Sequence, residues 1–557
     1  MRLWLRTRVL VLVILGGEMC GIAVAIAWHD AESYVRRLIA GLSHRGDITD
    51  PLISVGSDIA MCTRRLRIVD PANGAQPKAS FDGRFLVSLN GEIYNHAELR
   101  SELELAGIHF HSACDTEVVA NALRVWGPCA IKRFRGMFAF VAVDVETDDF
   151  LAARDPFGIK PLYLVQSGGG LLFCSEMQPL LDVTEDEKIL YLPAGYVLTR
   201  TFRGRYYQFG PRNTGKVASP KTLDRLLDDA MQVRLPQNLP AAILFSGGID
   251  STLVAHYARR SSPAMPAYIA AGRDAPDYAY AARYADDTGL DLRVVPIDVG
   301  SSTTLPLIEA VIGAVEAFEP AIIRPGLYTY AVSQRIHEDG FRIALCGEGA
   351  DELFAGYEPL EEAFGVSDAA GRHVQGQCLG MMHRANLQRV DRCSMRFQLE
   401  IRELFLDPSI VAYASNLGRS RLLEGDGNGQ VGKAPLRALY DLYPSALPAY
   451  IRDRRKMPFH EGAAADAEGA SWLELFEAAV SDAELRDGQR EYAAFGIANK
   501  EELYFLRTMA AKMDVRRVPH LRARLRLHMP DAHMPNSHLP NAQMPNASPD
   551  YRLQVSA

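Results

Sequence analysis

The apolar run Ala241–Phe245 passes directly into Ser246-Gly247-Gly248-Ile249-Asp250-Ser251, and a helical pattern then continues through Arg260. A buried strand, a glycine turn and a helix in that order leave few architectures open. Ala267–Ala271, Leu292–Ile297 and Phe341–Leu345 are further apolar β runs. They alternate with helical stretches at Tyr278–Thr288 and Leu327–Glu338. This rhythm predicts an α/β doubly wound parallel sheet. Residues from about 375 to 515 read mainly as helices.

The first part of the chain has a different rhythm. From Met19 to about Arg205 it reads as short β-rich runs such as Phe85–Leu89, Met137–Val143 and Leu171–Cys174, separated by turn residues. Helical patterns cover Ala31–Leu42 and Glu117–Trp126. The expectation is an α+β domain with antiparallel sheets. Residues 206–220, polar and rich in Gly and Pro, read as a linker. The chain thus divides into an extension (1–18), a first domain (19–205), the linker, a second domain (221–515) and a tail (516–557).

A length of 557 residues is ample for two separate cores. With 48% apolar and 23% charged residues the chain is neither fibrous nor wholly disordered. Sixty basic residues stand against 68 acidic ones, a formal charge of −8, so no overall positive field recruits nucleic acid. The eight cysteines are scattered without a C-x-x-C pair, which argues against a zinc site or a disulfide framework and for a reducing, cytoplasmic setting.

Residues 1–18 carry three arginines and then an apolar run from Val9 to Leu15. This has the outline of a secretory signal, yet it is too short to span a bilayer and no small-residue cleavage site follows. The other reading places it upstream of a true start at Met19. Toward the C-terminus, HMPDA, HMPNS, HLPNA and QMPNA follow one another, and a proline every five residues excludes a helix or a central strand. A solvated low-complexity tail is expected there.

Met19-Cys20-Gly21-Ile22 precedes an apolar β run. A cysteine freed of its methionine carries a thiol nucleophile and an α-amine, and that amine, with a pKa of about 8, can serve as the thiol's own base. Asn90-Gly91-Glu92-Ile93-Tyr94-Asn95-His96 can offer a side-chain amide and a backbone N–H to an oxyanion. Arg65 can grip a carboxylate with its fork, and Glu92 and Asp115 can accept from an ammonium group. Together these functions describe hydrolysis of an α-amino acid's side-chain amide. Cys20-Gly21-Ile22, His44-Arg45-Gly46, Asn90 to Asn95 and Ala153 to Tyr163 resemble the glutaminase domain of class B asparagine synthetases, which are N-terminal-nucleophile amidotransferases. The resemblance implies Cys20 as nucleophile and Asn90 with Gly91 as the oxyanion hole. It implies Arg65, Ile68, Glu92 and Asp115 as glutamine contacts. It also implies that the working protein begins at Cys20. One departure is local: Asp47-Ile48-Thr49 follows His-Arg-Gly where the family usually has Pro-Asp.

In the second half, Ser-Gly-Gly-x-Asp-Ser between strand and helix looks like the pyrophosphate loop of ATP pyrophosphatases, with glycines for close phosphate approach and a helix N-terminus facing the anion. Cys346-Gly347-Glu348-Gly349-Ala350-Asp351-Glu352 resembles the family's Ser-Gly-Glu-Gly-Ser-Asp-Glu loop. By resemblance Leu244, Ser246, Gly247, Gly248, Asp250, Ser251, Ala271, Cys346 and Gly347 contact ATP, Gly272 and Asp277 follow the second strand, and Asp250 and Asp351 hold Mg²⁺. Glu348 is then needed for acyl-adenylate formation or ammonia deprotonation. Lys456 stabilises charge on the adenylate, and Arg324 lies in a strand-to-helix loop. Leu399 to Asp407 departs from the family's usual Glu-Ala-Arg-Val-Pro-Phe-Leu-Asp and is assigned to the substrate-facing region.

The implied activity is a glutamine-dependent asparagine synthetase using ATP and Mg²⁺ on small-molecule substrates. No nucleic acid or membrane partner is expected, and dimerisation follows from the resemblance alone. Two rivals remain open on sequence: the same machinery acting on a specialised-metabolite carboxylate, and a non-catalytic relative.

Overall fold

The computed structural model describes residues 20–66, 70, 72–210, 219–236, 238–272, 274–297, 303–425, 431–456 and 468–522. The first domain is built from β1 (Cys20–Ile26), β2 (Ile48–Thr49), β3 (Ile53–Val55), β4 (Ile59–Arg65), β5 (Lys78–Ala79), β6 (Phe85–Ile93), β7 (Gly136–Asp144), β8 (Asp149–Arg154), β9 (Tyr163–Ser167), β10 (Gly170–Cys174), β11 (Leu190–Tyr191), β12 (Tyr196–Thr199) and β13 (Arg203–Arg205). They form two antiparallel sheets. One runs β11-β9-β10-β1-β4-β2 with β3 also on β4, the other β13-β12-β8-β7-β6-β5. Asp47 to Thr49, the departure after His-Arg-Gly, supplies β2, which pairs with the end of β4.

Alternation along each strand explains why the sheets stack. Ile22, Val24 and Ile26 of β1 meet Ala139, Val141 and Val143 of β7 between the sheets. Ala23 and Ala25, on the other face, pack on Val35 and Leu38 of helix Ala31–Gly41. Outside the second sheet, Val87, Leu89 and Ile93 bury against Val118, Val119 and Ala122 of helix Asp115–Trp126. The result is a helix–sheet–sheet–helix sandwich, the predicted α+β domain of the N-terminal-nucleophile type.

The second domain holds a fully parallel sheet of β14 (Ala241–Leu244), β15 (Ala267–Ala271), β16 (Leu292–Pro296), β17 (Ile343–Cys346) and β18 (Glu400–Glu403), ordered β16-β15-β14-β17-β18. Helices cover both faces. Ile243 and Leu345 pack on Leu253, Val254 and Tyr257, while Ala242 and Ala344 pack on Ile323, Leu327 and Val332. This is the predicted doubly wound fold. The chain leaves β14 toward β15 and returns on the far side as β17, so a crevice opens beyond the carboxyl ends of β14 and β17.

Two local expectations fail. Residues 400–403, expected within a helical region, form the edge strand β18. Helix Pro320–Glu338 starts seven residues before its predicted beginning and carries Pro325 inside it. Pro325-Gly326 reads as a breaker, but Ile322, Ile323, Leu327 and Tyr328 are all buried, and that packing outweighs local propensity.

Residues 516–522, assigned to the tail on composition, pack against the first domain. Arg517 donates to the carbonyls of Leu181 (3.2 Å) and Thr184 (2.9 Å). At the linker, Ser219 caps helix Pro220–Gln232 by accepting from Thr222 N (3.2 Å). Residues 211–218, and the proline-rich repeats beyond 522, lie outside the described residues.

Candidate active sites

The first site lies at one end of the space between the antiparallel sheets. Cys20 opens β1, is 2% exposed, and pairs in register with Arg65 at the end of β4. Two residues inward, Ile22 pairs with Thr63, and Thr63 Oγ1 donates across the sheets to Ser88 Oγ (3.3 Å). The two-residue period therefore turns Cys20, Arg65, Asn90 and Glu92 into the same inter-sheet end. Gln76 ties it together: its Nε2 donates to Cys20 Sγ (3.7 Å) and its Oε1 accepts from Leu89 N (2.7 Å).

Asn90 is fully buried, and neither polar atom of its amide has a hydrogen-bond partner in the protein. An orphaned amide at that depth costs about 1–3 kcal/mol, so its retention at the inter-sheet end that also holds Cys20 needs an explanation. A ligand oxygen would supply one. Gly91 sits at φ +135°, and a Cβ there would lie 2.0 Å from the Met137 carbonyl, so only glycine fits. Arg65 is buried and paired with Asp50 (2.9 Å), whose other role is to accept from Gln76 N (2.9 Å). Glu92 is paired with Arg402 of β18. Asp115, at the start of its helix, accepts from Ile93 N (2.9 Å). Burial raises the pKa of both Glu92 and Asp115, disfavouring their charged forms unless a cation lies beside them. Ile68 lies outside the described residues.

The second site occupies the crevice between β14 and β17. Leu244 and Ala271 end their strands there. Gly247 has φ +67°, and a Cβ on it would lie 2.7 Å from Ala281 N. Ser251 Oγ accepts from Ser246 N (3.1 Å) and lies 3.1 Å from Ser246 Oγ, closing the turn. Helix Ile249–Ser261 begins at Gly248 without a side-chain cap, which leaves its first N–H groups facing the crevice. Gly347 allows the second loop to close on the first, since a Cβ there would lie 2.9 Å from Asp250 Cβ. A cavity of about 60 Å³ remains, lined by Ser246, Gly248, Asp250, Asp277, Lys433, Arg454 and Lys456 among others.

Lys433 Nζ bridges Asp250 (2.5 Å) and Asp351 (2.5 Å), and Lys456 Nζ reaches Asp351 (2.8 Å). Burial opposes ionisation of Asp351, but these two ammonium groups hold its carboxyl well below the usual range. Asp250 Oδ1 is buried without a hydrogen bond. Two adjacent carboxylates, one with an orphaned oxygen, form a donor set that suits Mg²⁺ with phosphate oxygens completing the shell. Among the described residues no cluster of three or more metal-ligating side chains exists. Asp277 pairs with Arg454, whose Nη1 also donates to Gly247 O (3.2 Å). Cys346 is buried at the end of β17, and burial pushes its thiol pKa well up. Glu348 pairs with Arg389. Glu352 is pushed up to about 8 by burial beside Asp351 and Glu348, and accepts from the Tyr357 hydroxyl (2.9 Å) and Asn386 (3.0 Å).

Arg324 departs from expectation. It sits in the first turns of helix Pro320–Glu338, not in a loop, and bonds Glu501 through two nitrogens (2.8 and 2.6 Å). Gln76, Asp50, Lys433 and Arg389 were not legible in the sequence, because each acts on a residue distant along the chain and none belongs to a compact motif.

A buried thiol and an orphaned amide at one end of an antiparallel sandwich, joined to a phosphate-type loop on a doubly wound sheet, define the class of two-domain glutamine amidotransferases. The glutamine amidotransferase domain family matches residues 19–194, and the asparagine synthase family matches residues 222–376 and 367–511. The chain belongs to the asparagine synthase family. A probable glutamine-hydrolysing asparagine synthetase of Schizosaccharomyces pombe is 29% identical over 87% of this chain and 92% of its own. Glutamine-hydrolysing asparagine synthetases of Lotus japonicus (29%, 88% of this chain, 85% of that one) and Oryza sativa subsp. japonica (30%, 87% and 84%) are similar over the same span. Among the described residues no helix is long and apolar enough to cross a membrane.

Proposed function

We propose that the chain is a glutamine-dependent asparagine synthetase, converting glutamine, ATP and aspartate to asparagine, AMP, pyrophosphate and glutamate. The observation that carries the reading is the orphaned Asn90 amide at the same inter-sheet end as the buried Cys20, in one chain with the Asp250–Asp351 crevice. None of the eight cysteines forms a disulfide, which supports a reducing cytoplasm.

In the first site the Cys20 thiolate attacks the glutamine side-chain carbonyl, its proton passing to the freed α-amine. The oxyanion is held by the Asn90 amide and the Gly91 N–H. Ammonia leaves with that proton, and water then cleaves the thioester to glutamate. Arg65 holds the glutamine carboxylate, and Ile68, Glu92 and Asp115 hold the rest of the amino acid.

In the second site Ser246 to Ser251 cradle the pyrophosphate, with Lys456 compensating charge that develops on the reacting phosphate. Leu244, Ala271, Cys346 and Gly347 flank the nucleotide. Asp250 and Asp351 would hold Mg²⁺, which when bound would supply charge neutralisation of the triphosphate. The aspartate side-chain carboxylate displaces pyrophosphate to give an acyl-adenylate. Ammonia attacks that carbonyl, Glu348 takes the proton the nitrogen gives up, and AMP departs.

The test uses protein beginning at Met19 with ATP, Mg²⁺, aspartate and amide-¹⁵N glutamine. The expected products are ¹⁵N-asparagine and AMP in equal amounts. Glutamate without labelled asparagine would refute aspartate as the acceptor.

A further inference from the structure

Arg402 was assigned by position to the substrate-facing region of the second domain, yet its guanidinium points at the first. It is 1% exposed and makes three polar contacts. Nη2 donates to Glu92 Oε2, Nε donates to Glu400 Oε1, and Nη1 donates to the Arg234 carbonyl (2.6 Å). Its Cζ lies 5.7 Å from the centre of the Tyr94 ring, which neighbours Glu92 in the same motif. Glu400 is fully buried, and its second oxygen has no partner.

Glu92 and Glu400 are buried carboxyls that share the Arg402 guanidinium, Lys160 also acts on Glu400, and Asp115 lies close to Glu92 with His96 nearby. On the glutaminase reading the α-ammonium of the bound amino acid meets the Glu92 carboxyl, and a buried carboxylate is stabilised by such a cation. The position of that cation is set by the direction of the Glu92 carboxylate. The direction is in turn set by Arg402, whose planar fork is fixed at the other nitrogens by Glu400 and the Arg234 carbonyl.

We propose that Arg402 is a positioning residue of the glutamine site: anchored to the parallel sheet, it aims Glu92 at the α-ammonium group and so selects amides that carry one. The inference rests on the glutaminase reading of Cys20.

The experiment compares full-length Arg402→Lys and Arg402→Met with the parent, using L-glutamine and its des-amino analogue 4-carbamoylbutanoate as amide donors. Ammonia-dependent synthesis is followed as a check on the second domain. The parent is expected to prefer glutamine strongly. In Arg402→Lys the glutamine kcat/KM falls roughly tenfold, mostly through KM, and in Arg402→Met roughly a hundredfold. The des-amino donor and ammonia-dependent synthesis stay within about twofold. A parallel loss with both donors, or no change with either, overturns the proposal. A parent that hydrolyses neither donor refutes the glutaminase reading itself.

Discussion

Arg45 Nη2 grips both carboxylate oxygens of Asp391, at 3.1 and 3.0 Å, across 346 residues of sequence. The same guanidinium donates to the Cys20 carbonyl (3.4 Å) and to Glu176 (2.9 Å). Asp391 lies on helix Asn386–Met395, which also carries Arg389, the partner of Glu348. One short run of buried charges therefore connects the strand that begins with Cys20 to the helix that carries the partner of Glu348. The His-Arg-Gly motif is a clamp between the domains.

Cys20→Ala should abolish glutamine-dependent synthesis while leaving ammonia-dependent synthesis within about twofold. Parallel assays with glutamine and ammonium chloride check this. Protein whose Cys20 amine is still acylated by Met19 and preceding residues should behave like Cys20→Ala with glutamine, as intact-mass analysis of active and inactive fractions would show.

Asn90→Ala should lower the glutaminase kcat by about 10²–10³, with little change in the glutamine KM. Because the amide is orphaned in the unliganded protein, its removal should not lower the melting temperature. A calorimetric loss of stability matching the loss of activity would show that the amide is structural.

Asp407 is buried between Arg135 (2.8 Å) and Arg234 (2.9 Å), one from each domain. Burial opposes its ionisation, yet the two guanidiniums lower its pKa from 3.8 to about 2. A depressed folded pKa stabilises above the unfolded value and is lost as pH falls through the folded one. Asp407→Asn should therefore cost about 2 kcal/mol at pH 7, and the difference from the parent should vanish between about pH 4 and pH 2. Denaturant midpoints across that range measure it.

Glu403 has the opposite sign. It is 3% exposed, one oxygen lacks a partner, and burial pushes it up to about 8 despite nearby Lys160. A raised acid loses stability as pH climbs from its unfolded value near 4.5 toward 8. Glu403→Gln should raise the melting temperature by about 2 °C or more at pH 8 and change it little at pH 5. An equal shift at both values would rule out ionisation as the cause.

Asp351→Asn should eliminate ATP–pyrophosphate exchange, since it removes one carboxylate of the pair bridged by Lys433. Glutamine hydrolysis should persist, because Cys20 and Asn90 lie in the other domain.

Much was fixed by local pattern. Ser-Gly-Gly-x-Asp-Ser could be placed because its constraints are local: a glycine at φ +67°, a helix start and a strand end lie within ten residues. The two fold classes followed from the period of apolar residues, which burial of one face or two imposes on any strand. Cys20 and Asn90 could be singled out by type, and the two-residue alternation then turned them toward one space.

Tertiary structure decided what charge does in the interior. Glu400-Ile401-Arg402-Glu403 carries three charges in four residues and does not read as a buried strand, yet all four are buried. Their partners Glu92, Lys160 and Arg234 lie 168 to 310 residues away or are felt only through space. No local pattern encodes such pairing, because the desolvation of a charge is offset only by a partner that folding delivers. The same holds for Lys433 between Asp250 and Asp351, and for Arg45 against Asp391. The residues assigned to the chemistry were legible in the sequence; the ion pairs that hold them exist only once both domains are in contact.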